Sequence, residues 1–241
     1  ACNITEKGVR RLLSFVKPGV WEYEIEAELM HEFLRNRSKG FAYTPIIASG
    51  ENANVLHYIA NNMQCKDGDV ILLDVGAEYA NYSSDLTRMI PVNGKFTARQ
   101  KEIYNAVLDM KNFATSLLVP GNNWYDYHKE CGEFYTSKFL ELGLLDKADV
   151  QNQDKNWPAY KKYMMHGTSH HLGLDTHDYG ILKDKFVENM VFTVEPGIYL
   201  PAEGFGVRIE DDMVIQNSGP AFNLMKNIPI EVEEIEELMN S

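Results

Sequence analysis

Two pairs of acidic residues follow apolar runs in this sequence, and each pair is spaced as if to meet across a hairpin. Asp74 closes an apolar run that begins at Val70, and Asp85 follows farther along the chain. A turn centred between Tyr79 and Ala80 would bring these two carboxylates opposite each other. Like charges that face each other on a sheet destabilise it, and burying an unpaired carboxylate is costly. The first pair therefore predicts a bound cation.

The same pattern recurs nearer the C-terminal end. Glu195 follows the apolar stretch 191–194, and Glu210 follows the stretch 207–209. A turn centred between residues 202 and 203 would pair these two carboxylates as well. Two divalent cations would balance the charge of four carboxylates. The sequence thus predicts two acidic hairpins that share a site for two metal ions.

Four of the seven histidines lie in one short segment, residues 166–178. On a strand, His166 and His170 would point to the same face because an even number separates them. We predict a histidine-rich strand that supplies His170 as a fifth metal ligand. Carboxylates with one imidazole disfavour thiolate-seeking metals and leave Mn, Co, Zn or Fe. Two such ions, roughly 4 Å apart, can lower the pKa of a shared water and clamp a bond during hydrolysis.

The composition argues against several classes of protein. A formal net charge of −12 disfavours nucleic acid as a partner, because a phosphate backbone would be repelled. No apolar run approaches the roughly 20 residues that span a bilayer, so no membrane partner is expected. The three cysteines have no repeated spacing and are typical of reduced thiols in a cytoplasmic protein. There is also no Gly-x-Ser-x-Gly elbow, phosphate loop or His-Glu-x-x-His helix.

The surrounding pattern repeats once along the chain. A pair of amphipathic helices, strand-like runs and an acidic hairpin occur twice, which predicts an α+β fold of two similar halves. Curved antiparallel strands would lie inside and helices outside. The predicted elements are helices 5–16, 23–37, 98–118 and 125–142, strands near 42–48 and 55–59, a loop over 151–162 and a short amphipathic helix over 230–239.

Six short motifs together carry a likeness to a known family. They are Leu73–Tyr79, Ser84–Arg88, His166–His170, Gly173–Asp178, Val194–Gly197 and Arg208–Asp212. These motifs resemble those of the pita-bread-fold metallopeptidases, and within them the Xaa-Pro aminopeptidases and the prolidases. The resemblance covers essentially the whole chain. It implies a pita-bread α+β fold, with residues 1–241 as one catalytic domain that lacks the family's N-terminal, creatinase-like domain.

The resemblance also implies the roles of the predicted ligands. Two metal ions, usually manganese, would be held by Asp74, Asp85, His170, Glu195 and Glu210. Asp85 and Glu210 would bridge the ions, and Glu195 would also act as the general base. A hydroxide bridging the two ions would then attack the peptide carbonyl.

Four further residues match family positions around the substrate. His57 would contact the substrate and shuttle protons, and His177 would support the substrate carbonyl and the tetrahedral intermediate. His166 would line the pocket. Arg208 would orient a ligand carboxylate from outside the coordination sphere, although a surface strand cation is the simpler alternative for this residue.

The expected function is release of the N-terminal residue from peptides with proline in second position. A prolidase, which cleaves Xaa-Pro dipeptides, is the nearest alternative, and Ser169 and the short Glu195–Glu210 connection favour the aminopeptidase. A non-catalytic peptide-binding module on the same fold is a third possibility, but all five ligands are present. For the full-length protein, the family implies a homo-oligomer, either a dimer or a tetramer, in the cytoplasm.

Overall fold

Two helix pairs, each followed by an antiparallel sheet, build the fold. The computed structural model describes residues 1–241. The helices are α1 (Cys2–Phe15), α2 (Glu22–Arg35), α3 (Ala98–Ser116), α4 (Trp124–Glu141), α5 (Lys147–Gln151) and α6 (Val232–Met239). The strands are β1 (Ile46–Ser49), β2 (Val70–Asp74), β3 (Thr87–Pro91), β4 (Val191–Val194), β5 (Gly197–Leu200), β6 (Phe205–Arg208), β7 (Asp211–Val214) and β8 (Phe222–Asn223).

The sheets repeat the same plan in each half of the chain. β1, β2 and β3 form one three-stranded antiparallel sheet in sequence order, and β4, β7 and β8 form another, while β5 pairs with β6. A core of 52 buried residues draws on both helix pairs and all three sheets. The α+β plan of two similar halves is therefore confirmed. No helix combines the length and the apolar character needed to cross a bilayer.

The first acidic hairpin forms, but its register differs from the prediction. The turn is centred between Ala80 and Asn81, both of which have positive φ, and Tyr79 pairs with Tyr82. This is the two-residue turn whose twist suits a hairpin. Asp74 consequently pairs with Thr87 and not with Asp85. Because the shift is two residues, Asp85 stays on the same face as Asp74 and lies diagonally across from it.

The second acidic hairpin has the predicted register. Gly197 pairs with Arg208 in one ladder, and Val194 pairs with Asp211 in the next. The interval between these ladders holds Glu195 and Glu210 at opposing positions. A four-residue connection ends at Gly204, which has a φ of +74°, and its centre lies between residues 202 and 203 as expected.

Four local predictions differ from the structure. The predicted strand 55–59 is a turn followed by irregular chain, and the strand predicted over 42–48 begins only at Ile46. The histidine segment runs alongside β4, yet only His171 forms a β-bridge there. The predicted loop 151–162 carries a 3₁₀ turn over its last four residues. These stretches are held by side chains more than by strand ladders, so periodicity did not reveal their conformation.

A buried ion network joins the two halves close to the acidic hairpins. Asp211 on β7 contacts Arg88 on β3, 2.5 Å away, and Lys111 on α3. All three side chains are almost fully buried. Burial would raise the pKa of Asp211, but the charges of Arg88 and Lys111 outweigh it and lower the pKa. Asp211 therefore stays ionised in the core and holds β3, β7 and α3 together.

Removing this carboxylate should destabilise the fold strongly. Asp211→Asn leaves two buried cations without their counter-ion, which typically costs about 3–5 kcal/mol. Because the folded-state pKa is lowered, this stabilisation exists above the ordinary carboxyl pKa and is lost as the pH falls through the folded-state value. We expect urea denaturation at neutral pH to show the loss.

A matched control comes from an exposed ion pair. Glu102 contacts Arg99, which also bonds to Glu203. Glu102→Gln should change the free energy of unfolding by less than about 1 kcal/mol. Equal effects of the two substitutions would contradict the structural role given to Asp211.

Candidate metal centre

The predicted ligands all face one cavity. This cavity has a volume of about 890 Å³, and its wall includes side chains from β2, β6, the histidine segment and the irregular chain after β1. The five predicted ligands that line it are Asp74, Asp85, His170, Glu195 and Glu210. Side chains that are distant in sequence thus converge on one space.

The two aspartates of the first hairpin share a hydrogen-bond donor. The hydroxyl of Tyr43 lies 2.6 Å from Oδ1 of Asp74 and 2.6 Å from Oδ1 of Asp85. Arg208 donates to the other oxygen of Asp74. Gly76 lies between the aspartates, and a Cβ there would be 1.7 Å from the carbonyl oxygen of Ser84. Only glycine therefore lets the two strands approach closely enough to place both acids on one side.

His170 is oriented so that one ring nitrogen faces the carboxylates. Its Nδ1 lies 2.9 Å from the carbonyl oxygen of His171 and donates to it. Its Nε2 is left facing Oδ2 of Asp85 at 3.4 Å and Oε1 of Glu195 at 3.6 Å. In histidines that bind a metal, one ring nitrogen usually donates to a carbonyl oxygen or a carboxylate. This bond orients the ring so that the other nitrogen faces the metal.

The second hairpin is tied to the first by hydrogen bonds at its acids. Thr87 donates its hydroxyl proton to Oε2 of Glu210 at 2.6 Å, and Nε of Arg208 donates to Thr87 Oγ1 at 3.0 Å. The backbone N–H of Glu210 also donates to the carbonyl of Thr87, 3.1 Å away. Glu210 is therefore held in place by residues of the first hairpin and by its own backbone.

The carboxylates raise one another's pKa values. Burial, followed by the charges of Asp85 and Glu195, holds the pKa of Glu210 well above its ordinary value. Burial raises the pKa of Glu195 to about 7, although His170 and Arg208 oppose the shift. Burial likewise raises the pKa of Asp74, against the opposing charge of Arg208. Without added positive charge, this cluster is held partly protonated.

The pKa of His170 is raised as well, but by its neighbours and against the effect of burial. Burial would lower its pKa, but contact with Asp85 and the charge of Glu195 raise it to about 9. The neighbouring carboxylates thus favour the protonated, positively charged form of this imidazole. A divalent ion would supply this charge directly and release the proton.

The donor set suits a hard divalent metal. One ligand atom from each of Asp85, His170 and Glu210 lies within 4.8 Å of the other two. Oxygen donors with one imidazole are what Mn, Co, Zn and Fe accept. Asp74 and Glu195 border this triplet through their contacts with Tyr43 and His170. The residues present therefore fit a metal site.

The remaining predicted residues also reach the cavity wall. His57 and His177 both line it, and the ring of His177 lies 4.3 Å from that of His170. His166 contacts Oε2 of Glu195 at 3.7 Å through Nδ1. Arg208 is only 4% exposed; the alternative of a surface strand cation was therefore wrong.

Three polar residues of the site were missed from the sequence. They are Tyr43, Thr87 and Tyr199, whose hydroxyl accepts from Nη1 of Arg208 at 3.0 Å and contacts His166 at 2.7 Å. Thr87 and Tyr199 lie two and four residues from a predicted ligand, so strand periodicity could have placed them on the same face. Tyr43 had no such signal, because it precedes β1 in irregular chain.

Comparison with known proteins agrees with this geometry. A family model described as metallopeptidase family M24 matches residues 1–217. The chain belongs to metallopeptidase family M24. The resemblance drawn from the six sequence motifs is thereby confirmed.

Named relatives of this M24 chain include two kinds of proline-directed peptidase. It is 41% identical over 252 residues to a Haemophilus influenzae Xaa-Pro aminopeptidase, covering 100% of this chain and 58% of that protein. It is 35% identical over 284 residues to a mouse Xaa-Pro dipeptidase, covering 98% of this chain and 57% of that protein. The chain thus spans less than two thirds of the length of these relatives.

Solved structures confirm the pita-bread fold of this M24 chain. A zinc-substituted Escherichia coli aminopeptidase P in complex with product has a TM-score of 0.91 and is 39% identical. The same protein with the inhibitor Pro-Leu also has a TM-score of 0.91 and is 39% identical. Each match covers 100% of this chain and 57% of the other.

A divalent metal ion should bind at this site, and its affinity should depend on the carboxylates of Asp85 and Glu210. We expect Asp85→Asn or Glu210→Gln to weaken Mn²⁺ binding by more than the roughly 10- to 100-fold that residues outside the coordination sphere contribute. Isothermal titration of the metal-stripped chain measures this. Asp175 lines the same cavity but lies outside the triplet, so Asp175→Asn should bind Mn²⁺ normally. Loss of affinity in the control alone would contradict this assignment.

The metal-free chain should lose stability as the pH rises. The pKa of Glu195 is raised from 4.5 to about 7, and that of His170 from 6.5 to about 9. A raised folded-state pKa contributes stability below the unfolded value that is lost as the pH passes the folded value. In a chelator, we expect the free energy of unfolding to fall between pH 4.5 and pH 9.

Two variants separate the parts of this pH dependence. Glu195→Gln should flatten the slope below pH 7, and His170→Gln should flatten it above pH 6.5. Added Mn²⁺ should stabilise most at the alkaline end, where the ligands are already deprotonated. A stability that climbs throughout this pH range in chelator would rule out the explanation.

Proposed function

We propose that this chain is the catalytic part of a metal-dependent peptidase that releases the first residue from peptides with proline in second position. The two ions would be held by Asp74, Asp85, His170, Glu195 and Glu210, with manganese the expected metal. Asp85, His170 and Glu210 have the closest-set donor atoms, within 4.8 Å of one another. The observation that carries this proposal is the convergence of four carboxylates and one oriented imidazole in a cavity large enough for a peptide end.

When bound, a pair of divalent ions lowers the pKa of water and polarises a carbonyl. The general base, which takes the proton from the attacking water, is proposed to be the carboxylate of Glu195. Its side chain is 19% exposed, so it can reach both the cluster and the substrate space. A carboxylate in this position can accept a proton and later return it.

The histidines around the cavity suit the substrate's peptide group. His57 is exposed on the wall formed by the irregular chain after β1, where it can donate to or accept from a substrate. His177 stands beside His170, and burial followed by the charge of His170 lowers its pKa. We propose that His177 donates a hydrogen bond to the carbonyl oxygen as negative charge develops there. His166 would line the pocket.

Arg208 is proposed to orient a ligand from outside the coordination sphere. It bonds to Asp74, Thr87 and Tyr199 and reaches no solvent-facing partner. Removing this guanidinium would leave Asp74 without its cationic partner. Outer partners of this kind are typically worth 10- to 100-fold in metal affinity or activity.

Selectivity for proline is supported by the relatives. One Escherichia coli relative was solved with the inhibitor Pro-Leu, and the Haemophilus influenzae relative is named an Xaa-Pro aminopeptidase. Proline lacks an amide N–H, so a peptidase that handles it cannot use that donor for binding. Other parts of the proposal are a cytoplasmic location and a homo-oligomer, either a dimer or a tetramer, of the full-length protein.

Peptide hydrolysis tests the proposal directly. The metal-stripped chain, reloaded with Mn²⁺, Co²⁺ or Zn²⁺, should release the first residue of an Xaa-Pro-Xaa tripeptide. Glu195→Gln should lower kcat by at least about 10²-fold, as expected on loss of a general base. Absence of turnover with every metal, in a chain shown by titration to bind the metal, would overturn the proposal.

Substrate length distinguishes aminopeptidase activity from prolidase activity. The prolidase alternative is supported by the 35% identity to the mouse Xaa-Pro dipeptidase. An aminopeptidase should cleave the tripeptide with a kcat/KM at least equal to that for an Xaa-Pro dipeptide. Cleavage of the dipeptide alone would instead assign the chain to prolidase activity. An Xaa-Ala-Xaa tripeptide is the matched control for the proline requirement.

A further inference from the structure

Glu22 is a buried carboxylate that does not line the cavity of the candidate metal centre, and the proposed reaction leaves it without a role. It is the first residue of α2 and has 0% of its surface exposed. All its hydrogen-bond partners are neutral donors, from β1, from the 3₁₀ turn after β1 and from the stretch that carries His57. Burying a charge without a cation is costly, so this arrangement calls for an explanation.

Five donors share the two oxygens of Glu22. Oε1 accepts from the backbone N–H of Ser49 at 2.8 Å, from its hydroxyl at 2.7 Å and from the side-chain amide of Asn52 at 3.2 Å. Oε2 accepts from the hydroxyl of Tyr58 at 2.8 Å and from the N–H of Met63 at 2.9 Å. The backbone N–H of Glu22 donates to the carbonyl of Met63 in return, at 3.0 Å.

These hydrogen bonds anchor the chain on both sides of His57, the residue proposed to contact the substrate. We call residues 55–63 the His57 segment; it contains no helix and no strand. A hydrogen bond from the N–H of Tyr58 to the carbonyl of Val55 closes the turn that presents His57. Asn52, before the turn, and Tyr58, at its end, bond to the same carboxylate.

A second carboxylate of α2 holds the same segment farther along. The side-chain amide of Asn61 donates to Glu26 at 2.9 Å and to the carbonyl of Pro45 at 3.0 Å. Its oxygen accepts from the N–H of Ile47 at 3.0 Å. The His57 segment is therefore attached at both ends to α2 and β1 by side chains, with Glu22 making the larger number of bonds.

We propose that Glu22 is a positioning residue, which fixes the His57 segment against the cavity so that His57 is held at the substrate. This role rests on the hydrolysis proposed above, since it acts through His57. Leu56 and Ile59 of the same segment also line the cavity, so the segment that carries His57 is part of the cavity wall.

The isosteric variant Glu22→Gln tests the role because it replaces an acceptor with a donor. Whichever way the amide is turned, its NH₂ meets a backbone N–H that can only donate, either that of Ser49 or that of Met63. β1 is held in a ladder with β2, whereas the His57 segment has no ladder. We therefore expect the segment to be the part that yields.

The first measurement does not depend on activity. Hydrogen exchange of peptides covering residues 55–63 should become faster in Glu22→Gln, while exchange in α4 is unchanged. Glu24, also on α2, bonds only to the N–H of Trp21, so Glu24→Gln is the matched control and should exchange like the parent. Unchanged exchange of the His57 segment in Glu22→Gln would overturn the proposal.

The second measurement is a double-mutant cycle with His57→Ala, using the Mn²⁺-loaded chain and an Xaa-Pro-Xaa substrate. Glu22→Gln should lower kcat/KM by about tenfold or more, as misplacement of a reacting group does. The effect should vanish in the His57→Ala background, with Mn²⁺ affinity unchanged throughout. An equal loss in both backgrounds would show that Glu22 does not act through His57.

Two further outcomes can be distinguished from failure of the Glu22 proposal. If the parent binds Mn²⁺ but cleaves no Xaa-Pro peptide, the proposed function fails, and the exchange measurement alone decides whether Glu22 anchors the segment. If Glu22→Gln does not fold, Tyr58→Phe removes a single bond to the same oxygen. It should then accelerate exchange of the His57 segment and lower kcat/KM only when His57 is present.

Discussion

Mutual repulsion of carboxylates in one cavity is the constraint on which the rest of this structure depends. Burial and neighbouring acids raise the pKa values of Glu210, Glu195 and Asp74 together. Arg208 and the hydroxyls of Tyr43 and Thr87 relieve only part of this cost. A fold that keeps such a cluster must hold it rigidly, because any loosening would let the acids separate and become solvated.

The rigidity comes from the way that the two halves interlock. Beside the cluster, residues 85–88 of the first half bond to residues 210–212 of the second half through both backbone and side chains. The N–H of Asp85 donates to Oδ2 of Asp212 at 3.1 Å, and Arg88 pairs with Asp211, which precedes Asp212 in the chain. Each half therefore contributes two acids, and contacts between the halves set the distance between the pairs. Neither hairpin alone would form the site.

The substrate side of the cavity is built differently. His57, His166 and His177 all lie on irregular chain, where side-chain bonds replace strand ladders. The hydroxyl of Tyr127 on α4 bonds to Ser169, and that of Tyr135 bonds to Thr168. Glu22 and Glu26 on α2 do the same for the His57 segment. The helices outside the sheets thus hold the segments that carry the groups proposed to meet a substrate, while the two hairpins hold the four candidate carboxylate ligands.

The sequence by itself determined which carboxylates are candidate ligands and the pairing of Glu195 with Glu210, because the spacing of acids along apolar runs reflects the period of a strand. It also predicted the helix pairs, whose apolar stripes repeat at the helical period. Only the tertiary structure decided the register of the first hairpin, since Ala80 and Asn81 carry no strong turn signal. It likewise decided the place of Tyr43 and the conformation of the His57 segment. Both depend on hydrogen bonds between residues distant in the chain, which no local pattern records.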